Sequence, residues 1–384
     1  MIDPNRLKTT FLTLVKTGSV SKSEGAFSRL LQGLLEDLGA TTWVDDAGKA
    51  TGSDTGNLLA ALPGNRPVEP LLLSAHMDTV PPGEQIHPIF EGGVFKSDGK
   101  TILGADDKSA IAILLESLRA IQERNLPCGP LELVFTVCEE DALAGAKHLD
   151  TRRILAKWGY VLDATDTEGI ITRAPAANRM TFDVFGKEAH AGAAPEKGIN
   201  AIQVACRAVA ALQLGRIDRE TTCNIGVIQG GFATNIVPNR VTLIGESRSH
   251  DEAKLEKVTA AIAEAFKREV DGYSGPAAGE GLPRLEARVE RSFSKTNIPE
   301  DHPVVLLARR AADALGRKMV CKASGGGSDA NIFYEKGITA GVLGTGMRDM
   351  HTVSEWIRLD DMVRMSELMV KILVLHAETP SDSL

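Results

Sequence analysis

Residues 70–80 read PLLLSAHMDTV and residues 131–140 read LELVFTVCEE, two short apolar runs that each give way to imidazole or carboxylate groups. Runs of this length without polar alternation read as strands buried on both faces of a sheet. Between them, residues 108–126 (KSAIAILLESLRAIQERNL) space their apolar side chains as an amphipathic helix of about five turns. The order strand, helix, strand implies an α/β sheet with helical crossovers. Upstream, residues 9–40 predict two helices, the second carrying Leu30, Leu31, Leu34, Leu35 and Leu38 at helical spacing, and residues 57–63 (NLLAALP) predict a further strand. Residues 144–156 and 160–167 continue the alternation.

A Pro/Ala-rich stretch at residues 173–178 marks a change of unit. Beyond it the pattern predicts a strand at 180–185, a helix at 200–212, strands at 222–229 and 240–247, a helix at 251–270 and a strand at 284–292, the βαββαβ order of a ferredoxin-like unit. Residues 274–283 (SGPAAGEGLP) read as a flexible loop. A helix at 302–316, a strand at 336–344 and a closing helix at 359–378 then resume the first pattern. The expected organisation is one α/β domain at 1–176 and 294–384, with an α+β domain at 177–293 inserted into it.

Composition narrows the function. The 384 residues are 43% hydrophobic and 24% charged, enough to bury a core in each of two domains. A net charge of -8 supplies no basic field for a phosphate backbone, so nucleic acid is excluded as a partner. No segment approaches the roughly 20 apolar residues of a membrane span, and the first residues lack the apolar core of a secretory signal, so a cytoplasmic protein is expected. Five widely spaced cysteines form no CxxC pair, which argues against a disulfide framework or a thiolate zinc site.

The chemistry gathers at predicted strand ends. His76 and Asp78 follow one apolar strand and, one residue apart on extended backbone, face the same side. Glu139 and Glu140 end another strand, Asp163 ends a third, and Asp106 and Asp107 precede a helix. In open α/β sheets ligands bind beyond the carboxyl ends of the strands. So many carboxylates in one crevice repel each other unless a cation neutralises them, and imidazole with carboxylate is a ligand set for zinc. Taken singly, each motif has a plainer reading: a hydrogen-bonded turn for His76 and Asp78, a helix cap for Asp106 and Asp107, solvated side chains for the glutamates. Together they point to a metal site with more groups than one tetrahedral ion uses.

These residues also carry a resemblance. HMDTVPPG (76–83), SDGKTILGADDKSAIAILLE (97–116), FTVCEEDALAGAKHLD (135–150), GKEAHAG (186–192), PEKGINAI (195–202), GGFATNIVPNRV (230–241), ESRS (246–249), SGGGSDANIF (324–333) and MHTVSEW (350–356) resemble, in order and over nearly the whole chain, the M20 family of dinuclear zinc peptidases, in its peptidase T-like (tripeptide aminopeptidase) branch. The resemblance implies a zinc-peptidase-like catalytic domain with a mixed sheet and flanking helices, and a ferredoxin-like insertion acting as lid and dimerisation surface. It implies two Zn2+ ions, with Co2+ or Mn2+ as alternatives, bridged by Asp106. His76 and Asp163 complete one ion's ligands, Glu140 and His351 the other's. Glu139 is then the general base and Asp78 the acceptor that orients His76. A cis peptide after Asp106 belongs to the same pattern.

The resemblance further implies that His190 stabilises the oxyanion from the other subunit of a homodimer, with Asn235 and Arg248 holding substrate. The glycine run before Asp329, including Gly326 and Gly327, lacks a GK[ST] ending and so is no nucleotide loop; it would let backbone N–H groups approach a peptide. Related carboxypeptidases carry an Arg shortly before this run, where this chain has Lys322. His250, close to Arg248, reads as a surface residue, and Asp107 has no assigned role beyond structure. The expected activity is cleavage of short peptides from the N-terminal end. N-acyl-amino-acid amidohydrolase or carboxypeptidase chemistry on the same site, and a catalytically silent peptide-binding protein, remain as alternatives.

Overall fold

The computed structural model describes residues 2–275, 277–279 and 281–378; the expected extension of the first domain to 384, and two positions of the 274–283 loop, lie outside the described residues. The chain divides into two units. One comprises Met1–Arg173, Asn297–Ala323 and Ser328–Leu384, the other Ala174–Thr296 and Ser324–Gly327.

The first unit is built on a mixed sheet. Its centre runs Leu131–Thr136, Leu71–His76, Trp158–Ala164 and Thr339–Gly344, all parallel to their neighbours, while Leu58–Leu62, Thr41–Val44 and Gly169–Ala174 join antiparallel at the flanks. All six residues of Leu71–His76 are buried, as a strand covered on both faces requires. Registers pair His76 with Thr136 and Ser74 with Val161, which brings His76, Glu139 and Asp163 to the same edge of the sheet. Helix Ala105–Glu123 packs on Leu71–His76 and Trp158–Ala164, flanked by helices Pro4–Lys16 and Leu359–Glu378. Its residues Ala110 to Leu115 are all buried, so the helix is enclosed rather than half exposed. A small sheet of Ile89–Glu91, Val94–Lys96 and Trp356–Arg358, which the sequence reading did not anticipate, ties the 350s to the approach of that helix.

The second unit orders its long strands Thr221–Gly230, Arg240–Ser249, Ala176–Phe185, Arg284–Phe293, every neighbour antiparallel. With helices Ala201–Ala210 and Glu252–Asp271 this is the ferredoxin-like arrangement. Met180, Phe182 and Val184 alternate inward to a core with Val204, Ile262 and Phe266, and Phe182 stacks on Phe266 at 4.2 Å. Asn200 and Asp251 cap the two helices through side-chain acceptors. The stretch 173–178 is strand on both sides of Pro175: Gly169–Ala174 ends before it and Ala176–Phe185 begins after it. A residue without an N–H interrupts the ladder and lets the chain pass from one sheet to the next. Among the described residues no helix is long and apolar enough to cross a membrane.

Candidate metal centre

The strand-end turn after Leu71–His76 and the entry to helix Ala105–Glu123 face each other. His76 Nε2 lies 3.0 Å from Asp106 Oδ1, and His351 Nε2 lies 3.2 Å from Asp106 Oδ2 and 2.8 Å from Glu140 Oε1. The two oxygens of Asp106 therefore address two different imidazoles. The peptide between Asp106 and Asp107 is cis, and both residues leave helical dihedrals although they stand in the helix's first turn.

Two overlapping groups of donor atoms, each within 4.8 Å, emerge: His76, Asp106 and Glu140, and Asp106, Asp107 and Asp163. This partition differs from the implied one in placing His76 with Glu140 and in drawing in Asp107. Asp107 Oδ2 accepts the N–H of His76 at 3.2 Å, while its buried Oδ1 has no hydrogen-bond partner. An orphaned carboxylate oxygen in a cluster with Asp106, Glu140, Asp163 and two imidazoles is the donor chemistry that a divalent cation satisfies.

Electrostatics point the same way. Burial opposes ionisation of Asp106, but hydrogen bonds from His351 and His76 outweigh it and hold its carboxyl well below the usual range. Burial pushes Asp107, Asp163 and Glu139 well up, with Asp163 adding repulsion at Glu139 and Asp106 adding it at Asp163. His351 is raised to about 10 by its bonds to Asp106 and Glu140. Among the described residues no guanidinium or ammonium group pairs with these carboxylates: Lys108, two residues past Asp106, donates instead to Thr17 O at 2.7 Å and lies over the Phe27 ring.

Asp78 does more than face His76. The acceptor nearest His76 Nδ1 is the carbonyl of Asp78 at 3.0 Å, its carboxylate being 3.4 Å away. That carboxylate accepts the N–H groups of Glu139 at 2.9 Å and Glu140 at 3.1 Å and the hydroxyl of Ser21 at 2.6 Å. It thus fixes the turn on which both glutamates sit.

Sequence reasoning passed over two more carboxylates. Asp329, buried at the start of helix Asp329–Glu335, accepts from Thr136 Oγ1 and is pushed up to about 6, chiefly by burial. Glu355, also buried, accepts three backbone N–H groups at the entry to helix Ala105–Glu123. Their order in the motifs SGGGSD and HTVSE was visible, but their partners lie 193 and about 250 positions away.

In the second unit, His190 lies in a turn outside the long strands and bridges Ile236, and Ala191 N donates to Asn235 O at 2.9 Å, so His190 and Asn235 stand on adjoining backbone. His190 Nδ1 accepts from Ala193 N at 3.0 Å, and the residue is exposed. Arg248 pairs with Glu246 at 2.9 Å, and its buried Nε has no partner. The glycine run does not offer the free N–H groups expected of it at Gly326, whose N–H is taken by Ser324 Oγ at 3.0 Å. Gly327 is explained by packing, since a Cβ there would meet the Phe293 ring at 2.5 Å. His250 is not simply a surface residue: its Nε2 lies 2.9 Å from Ser324 O and fastens the run.

Comparison with known proteins shows the family. The model of peptidase family M20/M25/M40 matches residues 72–374. An aminopeptidase PepT from Bacillus cereus superposes with a TM-score of 0.84 at 38% identity, covering 98% of this chain and all of that one. A tripeptidase from Staphylococcus aureus gives a TM-score of 0.89 at 34% identity over 99% of this chain and all of that one. The protein YqjE of Bacillus subtilis is 38% identical over 374 residues, 97% of this chain and 99% of its own length. A family match across most of the chain, over a sheet edge where acidic side chains and imidazoles converge, establishes that this chain belongs to the M20/M25/M40 peptidases and is a metallopeptidase.

Proposed function

We propose that the protein is a dinuclear zinc aminopeptidase that releases the N-terminal residue of short peptides. His76, Asp106, Glu140, Asp163 and His351 would hold the two ions, with Asp106 shared. The observation that carries the reading is the placement of Asp106, one oxygen toward His76 and the other toward His351 and Glu140. When bound, such a pair polarises the scissile carbonyl and brings the pKa of water toward neutrality. Glu139, adjacent to Glu140 but free of its contact with His351, takes the proton from the attacking water and hands it to the leaving amine. Asp78 keeps Glu139 and Glu140 in register through their N–H groups.

Oxyanion stabilisation by His190, and substrate binding by Asn235, Arg248 and the Gly326–Gly327 backbone apart from the engaged Gly326 N–H, belong to the same proposal. So do the assignment of the second unit as lid and dimerisation domain, and a cytoplasmic homodimer. Support comes from the second unit itself, where His190 adjoins Asn235 and the Arg248 guanidinium lies 3.5 Å from the Cβ position of Gly326. The end of the peptide is argued from Lys322. At the place where related carboxypeptidases carry an Arg, this lysine is already paired with Asp166, so it is not free to receive a C-terminal carboxylate.

The test is hydrolysis of a free tripeptide, its N-acetylated form and its C-terminal amide, each with zinc and with chelator. Zinc-dependent cleavage of the free and amidated peptides, lost on N-acetylation, is expected. Cleavage of the acetylated peptide alone would move the assignment to acylase or carboxypeptidase chemistry, and no cleavage by the zinc-loaded protein would favour a silent binding protein.

A further inference from the structure

Glu355 stands four residues after His351 with 1% of its surface exposed. Its Oε2 accepts the N–H groups of Leu103 and Gly104, both at 2.7 Å, and its Oε1 accepts that of Asp106 at 3.0 Å. These donors are the backbone entering helix Ala105–Glu123, where Gly104 is left-handed at φ 74° and Asp106 takes φ -83°, ψ 103°. The first N–H groups of a helix have no acceptor within it. Here one buried carboxylate gathers one such group, that of Asp106, together with the N–H groups of the two residues just before the helix, and sets the direction in which Asp106 leaves the backbone.

The acceptor is itself tethered. Glu355 N donates to Thr352 O at 3.2 Å, its carbonyl accepts from Ser97 N at 3.1 Å, and the next residues, Trp356–Arg358, pair with Val94–Lys96. One short segment therefore carries both His351 and the group that holds Asp106, while His351 Nε2 meets Asp106 Oδ2 at 3.2 Å. Fixing one fixes the other.

We propose that Glu355 is a positioning residue whose carboxylate fixes the 103–106 turn and thereby holds Asp106 and His351 at the spacing that two metal ions require. The inference rests on the reading of Asp106 and His351 as ligands. Groups that orient a ligand in this way are commonly worth about 10–100-fold in metal affinity. Glu355→Gln keeps the size of the side chain but sets an NH2 donor against a backbone N–H.

The experiment is zinc titration of the metal-free protein, wild type against Glu355→Gln, by calorimetry or chelator competition, with far-UV circular dichroism as the check on folding. Zinc affinity at one site or both should fall by about 10–100-fold while the folded spectrum is kept. Affinity within about twofold of wild type would overturn the proposal, because a role confined to capping a helix leaves zinc uptake unchanged. Failure of the metal-centre reading looks different: the wild type itself would take up no zinc. Should the variant not fold, amide hydrogen exchange on the metal-free wild type decides. Protection of Leu103, Gly104 and Asp106 is expected, and exchange at free-loop rates would sink the idea.

Discussion

Two regions of this molecule bury carboxylates, and they neutralise them in opposite ways. In the second unit Asp183, 1% exposed, receives Arg240 at 2.8 Å, Arg288 at 3.0 Å and the Thr242 hydroxyl at 2.5 Å. Burial works against its ionised form, but the bonds from Thr242 and Arg240 win and hold its carboxyl below the ordinary range. At the strand ends of the first unit, Asp107, Asp163 and Glu139 are pushed the other way, and imidazoles are the only partners of opposite sign that reach Asp106 and Glu140 among the described residues. The first arrangement is complete within the chain. The second leaves charge to be balanced from outside, which separates a binding site from a structural ion pair.

The sharpest way to press the contrast is Glu139→Gln. If Glu139 moves the proton and does not hold metal, kcat should fall by about 10²–10⁴-fold. Zinc content by elemental analysis should stay at the wild-type level. Loss of zinc together with activity would instead make Glu139 a ligand.

Next in size is Asp163→Asn. A ligand that binds only the folded state stabilises it by about 2.7 kcal/mol at a hundredfold excess over its Kd. Zinc should therefore raise the melting temperature of the wild type and raise that of Asp163→Asn much less, as differential scanning calorimetry would read. In the metal-free state the order should reverse, with the variant no less stable than the wild type. Asn replaces a group that burial and the charge of Asp106 force to stay protonated, so the substitution removes the cost of holding that proton.

Much of this contrast was legible in the sequence, for identifiable reasons. A run such as LLLSAH buried on both faces advertises itself by continuous apolarity, and helix Ala105–Glu123 by its spacing, so the mixed sheet and its helices followed. The positions of His76, Glu139, Glu140 and Asp163 could be placed at strand ends because strands of this type end where apolarity stops. What could not be read was anything that depends on a distant partner. Strands of three residues, such as Val94–Lys96 and Trp356–Arg358, are too short to show a period. Asp329 and Glu355 look like any acidic residue until Thr136 and the 103–106 backbone arrive from far along the chain. That the Gly326 N–H is taken by Ser324 could not be read from the glycine run alone.

The smallest expected effect lies in the region that is already balanced. Asp183→Asn keeps an acceptor for Thr242 but removes the charge facing two arginines that are themselves 56% and 65% exposed. Those guanidinium groups can return to water, so the loss should be about 1–2 kcal/mol in urea unfolding rather than the larger cost of stranding a buried cation. Its pH dependence has a definite sign. Because the folded carboxyl titrates below the unfolded one, the unfolded chain binds more protons in that interval, and the stabilisation is full above about pH 4 and is lost as pH falls through the folded value. Wild type and variant should therefore differ near neutrality and converge in acid. Zinc affinity should be equal in the two proteins, since this ion pair needs no cation from outside. A gap in stability that persisted in acid would mean that packing rather than charge holds Asp183, and a change in zinc affinity would mean that the two buried acidic regions are energetically coupled.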